Sequence, residues 1–131
     1  MIDIDEKLNV SELLRVYGAL LTPHQAEIMR QYYDCDISLF EIASDLDVSR
    51  QAVRDVLVRS VKTLKDVDKK LRLIEKSSCI LDAINAAKED AKKGNVAAAI
   101  ERLDDAVALL EEEYGIRQFV GKTESRFFEN A

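Results

Sequence analysis

Between Ser49 and Lys62 the chain reads Ser-Arg-Gln-Ala-Val-Arg-Asp-Val-Leu-Val-Arg-Ser-Val-Lys. The polar members of this stretch are side chains suited to reading nucleic acid. Arginine presents a fork of donors that matches guanine O6 and N7, and glutamine matches adenine N6 and N7. Arg50, Gln51 and Arg54 are therefore the candidate base readers, with Ser49 ahead of them and Asp55 beside them. Arg59, Lys62 and Lys65 suit phosphate contacts, which position a protein on a duplex without reading its sequence. Ser38 and the amides after it form a further candidate phosphate contact, because a helix N-terminus favours anions. The bland alternative is a solvated helix face, in which Asp55 partly neutralises Arg54 and Arg59. A third alternative is a protein partner, since helix-turn-helix units also serve as interaction modules.

Other residue types offer little chemistry. His24 is the lone imidazole, and catalysis would need a nucleophile and an orienting carboxylate near it. Asp104-Asp105 and Glu111-Glu112-Glu113 are neighbours on one helix and point in different directions, which fits a solvated face better than a metal site. Cys35 and Cys79 lie far apart without a CxxC, so a zinc cluster is not expected and reduced thiols are. There is no P-loop or other glycine-rich phosphate cradle. These absences lead to the expectation of a non-enzyme with no cofactor and no metal.

Charge supports the same stretch. The chain of 131 residues has a net charge of −6, but residues 48–76 carry 9 basic and 4 acidic side chains. Local potential governs phosphate binding more than the total does. No apolar run approaches the roughly 20 residues that span a bilayer. Met1-Ile2-Asp3-Ile4-Asp5-Glu6 is acidic and lacks the apolar core of a signal peptide, so a cytoplasmic protein away from membranes is expected.

The elements that must position these residues are helices. Hydrophobic residues make up 47% of the chain and Pro occurs once, a composition suited to helices with a core. Leu13, Leu14, Tyr17, Leu20 and Leu21 repeat at helical spacing and predict a first helix over about 6–20. Thr22-Pro23-His24-Gln25 reads as a capping box with Pro at the first helical position, opening a second helix over 23–34. That helix is expected to bury Ala26, Met29, Tyr32 and Tyr33. Ser38-Leu39-Phe40-Glu41 reads as another capping box, opening a short helix over 39–46. Ser49 caps a fourth helix that meets no breaker before Ser77-Ser78, with a heptad-like seam from Leu57 through Ser60, Leu64, Val67, Leu71 and Ile74.

Helices three and four have helix-turn-helix spacing. Ala43 stands where the helices cross, Leu46, Val48, Val53 and Val56 surround the turn, and Asp47 fills a position that tolerates a left-handed backbone. Two further helices, 79–93 and 96–114, join at Gly94-Asn95 as a hairpin. The first is expected to bury Ile80, Ile84, Ala87 and Ala91, the second Val96, Ile100, Leu103, Val107 and Leu110. The tail from Gly115, with Phe119, Phe127 and Phe128, is either disordered or a docking segment.

Residues from Leu13 to Lys76 carry a family resemblance. Leu14, Tyr17-Gly18, Leu20-Leu21-Thr22 and Gln25, then Tyr32-Tyr33, Ser38-Leu39 and Glu41-Ile42-Ala43, and above all Val48-Ser49-Arg50-Gln51-Ala52-Val53 resemble the YlxM-like helix-turn-helix DNA-binding proteins of Gram-positive bacteria and mycoplasmas. That family is similar in turn to region four of sigma factors. The resemblance implies a regulatory or accessory role linked to the signal recognition particle, and makes Arg50, Gln51 and Asp55 family-type surface positions. Arg54 departs from the aromatic expected there, and residues 77–131 extend beyond the matched motif.

The expected molecule is all-α. A three-helix head with a sigma region-four-like helix-turn-helix and a long fourth helix occupies 1–76, a helical hairpin 77–114 and a tail 115–131. Its expected partner is DNA, the alternative being a component of the signal recognition particle, protein or RNA. The seam and hairpin suggest a homodimer.

Overall fold

The computed structural model describes residues 4–116. All regular structure among them is helical. The helix α1 (Ile4–Tyr17) runs into a 3₁₀ turn over Gly18–Leu20 and is followed by α2 (Pro23–Tyr33), α3 (Leu39–Leu46), α4 (Arg50–Leu71), α5 (Leu73–Lys92) and α6 (Val96–Tyr114). The tail beyond Ile116, with its three phenylalanines, lies outside the described residues. The chain divides into two compact units, the first ending at Ile74 and the second beginning at Glu75.

Helix starts follow the caps. Thr22 Oγ1 accepts from the Gln25 amide at 3.2 Å and the Gln25 side chain accepts from the Thr22 amide at 3.1 Å, a complete capping box. Ser38 Oγ accepts from the Glu41 amide at 3.1 Å, but Glu41 does not return the bond, so only half of the second expected box forms. Ser49 Oγ accepts from the Ala52 amide at 3.0 Å.

The core of the first unit gathers Val10, Leu13 and Tyr17 of α1, Ile28 and Met29 of α2, and Ile42 and Ala43 of α3. Onto these pack Val53, Leu57 and Leu64 of α4. The α4 seam is therefore spent inside this unit, against α1 and α2, as far as Leu64; Val67 is half-buried and Leu71 exposed. Tyr32 and Tyr33 are half-buried rather than buried, their rings edge to face with centroids 5.0 Å apart. Ser60 is fully buried on the same seam, and its hydroxyl has no hydrogen-bond partner.

The fourth helix ends earlier than its sequence predicts. Arg72 turns left-handed at φ 53°, and Ser77-Ser78, expected as the break, lies within α5. The cause is tertiary. Buried Tyr17 donates its hydroxyl to the Asp68 carboxylate at 2.6 Å and accepts from the Leu73 amide at 3.0 Å. One phenol thus clasps the end of α4 to the start of α5, and Lys70-Leu71-Arg72-Leu73 contains no local signal for it.

The second unit is a hairpin packed unlike the expected one. Ile80 and Ala87 of α5 and Ala99 and Ala106 of α6 are buried. The large residues expected inside are outside: Val96 is 63% exposed and Ile100 53%, while Leu103, Val107, Leu110 and Ile84 are also exposed, as is Ala91. Two helices in contact cover only one narrow seam of each.

Candidate nucleic-acid interface

The helix-turn-helix is α3, its turn and α4. Ala43 is buried at the crossing, 4% exposed. Asp47 adopts the left-handed conformation at φ 55°, ψ 46°, with its amide bonded to the Ala43 and Ser44 carbonyls. The Val48 amide closes on the Ala43 carbonyl at 3.0 Å. Leu46 and Val48 were expected to bury around this turn but are 38% and 47% exposed. Val53 is buried and Val56 half-buried, so the turn is held from the α4 side and by backbone bonds.

Every predicted site residue is exposed, on α4 between Arg50 and Lys62 or at its cap. At 100° per residue they divide into two groups. Arg50 and Arg54 stand one turn apart on one row, with Val58 next along it and Lys65 farther on. Gln51, Asp55 and Lys62 form the adjoining row, and Arg59 turns away behind it. Gln51 Nε2 donates to Asp55 Oδ1 at 2.9 Å, so this pair engages itself. Among the described residues neither Arg54 nor Arg59 forms an ion pair. Lys62 pairs with Asp66 at 2.9 Å; that hydrogen bond and charge raise the lysine pKa and lower the aspartate's. The Ser49 hydroxyl is committed to its cap.

Two features escaped the sequence reading. The Arg50 guanidinium lies over the Phe40 ring, 4.9 Å from its centroid. Phe40 is 59% exposed in the first turn of α3, and an exposed aromatic beside a cap was the available signal. Arg50 and Phe40 both line an open recess of about 500 Å³, together with Lys7, Ser38 and Leu39. Lys7 is ion-paired with Asp36 there, so one of its cations is already engaged. Val58 resolves an ambiguity of the sequence: Leu57 is buried and Val58 is 63% exposed, beside Arg54.

Elsewhere, Cys35 and Cys79 are free and exposed, and His24 is exposed in the first turn of α2. Among the described residues no cluster of His, Cys, Asp and Glu is placed to hold a metal, and no helix is long and apolar enough to cross a membrane.

A capped short helix, a left-handed turn and a longer helix with exposed cations at its start define a helix-turn-helix protein. Residues 4–106 match the family model described as helix-turn-helix protein, YlxM / p13 like. The chain belongs to that family, whose match reaches well into the hairpin, past the point where the motif resemblance stopped. Among curated relatives, a UPF0122 protein of Fusobacterium nucleatum is 36% identical over 100 residues, covering 76% of this chain and 97% of the relative. One of Halalkalibacterium halodurans is 39% identical over 105 residues, covering 77% and 96%. One of Clostridium acetobutylicum is 44% identical over 73 residues, covering 56% of this chain and 63% of that relative's length.

Proposed function

We propose that this protein is a cytoplasmic, non-catalytic DNA-binding regulator that reads duplex DNA with the N-terminal half of α4. The observation that carries the reading is the pairing of Arg50 and Arg54, exposed one turn apart at the start of the second helix and not closed off by a carboxylate. A recognition helix reads base edges near its N-terminus, where these two stand. Phe40 supports Arg50 through its ring's attraction for the guanidinium, which restricts the fork before any contact is made. Gln51 reads a base by exchanging its bond to Asp55. Arg59, Lys62 and Lys65 take phosphates on the flanks, and the recess at Ser38 takes another. Residues 1–76 do the binding, 77–114 join two copies and 115–131 form a tail. A homodimer carries two recognition helices, as two-fold operators require.

Kinship with the YlxM-like family supports a role linked to the signal recognition particle. Exposed Val58 beside Arg54 favours a second reading, in which the same face binds a protein component of that particle.

The test is binding of the full chain to duplex DNA and to the particle's RNA across a salt series, with Arg50→Ala/Arg54→Ala alongside. Steep weakening with salt is expected, and the double variant should lower the slope of log K against log salt by about 2 if both arginines touch phosphates, or weaken binding about 10-fold or more at the best sites if they read bases. No binding at low salt, where attraction is least screened, would sink the nucleic-acid reading and leave the protein partner.

A further inference from the structure

The hairpin leaves its best apolar surface uncovered. On α6, Val96, Ile100, Leu103, Val107 and Leu110 follow a heptad spacing of four and three, and each is more than a third exposed. On α5, Leu81 is 57% and Ile84 38% exposed. The two rows lie on one side of the hairpin. Tyr114 continues the Ile100–Val107 row and Ser77 continues the Leu81–Ile84 row, and their hydroxyls meet at 2.6 Å. The opposite edge is closed by Arg102 to Asp90 at 2.8 Å. Contiguous exposed apolar faces mark interaction surfaces, and two helices with one apolar face are half of a four-helix bundle.

Charge identifies the other half. Beyond the apolar row, the outer edge of α6 carries Asp104 and Glu111 and that of α5 carries Lys92, while Lys88 stands on the α5 row itself, one heptad after Leu81. Asp104 and Lys88 form no ion pair among the described residues. The contacts Ser77 to Tyr114 and Asp90 to Arg102 set the level of the two helices, and they bring Lys88 and Asp104 to the same height. A two-fold axis running along the helices would lay α6 of one copy across α5 of the other and bring each Asp104 to the partner's Lys88. The alternative axis, across the helices, opposes α6 to α6 and acid to acid.

We propose that the apolar face of the α5–α6 hairpin pairs with the same face of a second copy, α6 across α5, with Asp104 of one copy against Lys88 of the other. This deepens the dimer within the proposed function, and its test involves no nucleic acid, so failure of either leaves the other standing.

The experiment is sedimentation equilibrium of the full chain. Twice the 14.8 kDa chain mass is expected at micromolar concentration. Leu103→Glu, at a position already 46% exposed, should keep its far-ultraviolet circular dichroism and weaken association at least 10-fold. Lys88→Glu and Asp104→Lys should each weaken it about two- to five-fold, and the two together should restore it. A monomer at 100 micromolar or about that concentration, where a bundle of this size would be formed, overturns the proposal and gives the face to another occupant, such as residues 117–131 or a different protein. A dimer indifferent to Leu103→Glu overturns the face. Charge variants that fail to rescue each other overturn the arrangement.

Discussion

Ser60 is the residue whose chemistry conflicts most with its surroundings. It sits fully buried between Leu57 and Leu64 with an unpartnered hydroxyl. A buried hydroxyl without a partner costs about 1–3 kcal/mol, and alanine is the better helix former by up to about 0.7 kcal/mol. Ser60→Ala should raise the stability of the first unit by roughly 1 kcal/mol, read as a higher urea midpoint at unchanged slope. The sequence placed Ser60 in the seam correctly but gave no sign of its missing partner. Its reading of Arg50, Gln51, Arg54 and Asp55 as exposed neighbours also held. What it could not give was their mutual engagement, since Gln51 to Asp55 and Arg50 to Phe40 depend on rotamers and on the crossing of two helices.

Elements were legible where a local signal wrote them and illegible where a distant residue did. Thr22, Ser38 and Ser49 announce three helix starts by side chains that satisfy amides within three residues. Asp47 likewise announces its turn. A left-handed backbone costs a non-glycine residue about 1–2 kcal/mol, least for Asp and Asn. Asp47→Gly should therefore be neutral or stabilising by up to about 1 kcal/mol, whereas Asp47→Val should cost about 2 kcal/mol in thermal or urea unfolding. The end of α4 is the opposite case, because Tyr17 imposes it from 51 residues away. Tyr17→Phe removes the donor to Asp68 and the acceptor for the Leu73 amide, and should destabilise the first unit by about 1–3 kcal/mol. Amide exchange should be faster at Leu73 and the last turn of α4 than in the native chain; unchanged protection there would mean that the clasp does not hold the break.

At the scale of the whole molecule, the break expected at Ser77-Ser78 lies within α5, but the helical class could be read from period and composition alone. The inside of the hairpin could not. Periodicity identified the apolar arc of α6, but that arc is wider than one neighbouring helix covers, and periodicity cannot say which part goes inward. Ala99 and Ala106 of α6 are buried and its branched residues are exposed. Charge is similarly uneven, with a net of −6 over the chain and a basic excess confined to the stretch around α4. The acidic remainder opposes unspecific adhesion to polyanions while the basic stretch attracts them.

The distribution of tyrosines has an optical consequence. The chain has no tryptophan, and of its four tyrosines Tyr17, Tyr32 and Tyr33 belong to the first unit. Near-ultraviolet dichroism is therefore largely a signal from the head, where one phenol is buried and two rings meet edge to face, while far-ultraviolet dichroism sums the helices of both units. Denaturation followed at the two wavelengths separates the units without any label. Coincident curves would make them a single cooperative folding unit; a far-ultraviolet transition split around the near-ultraviolet one would show head and hairpin melting apart.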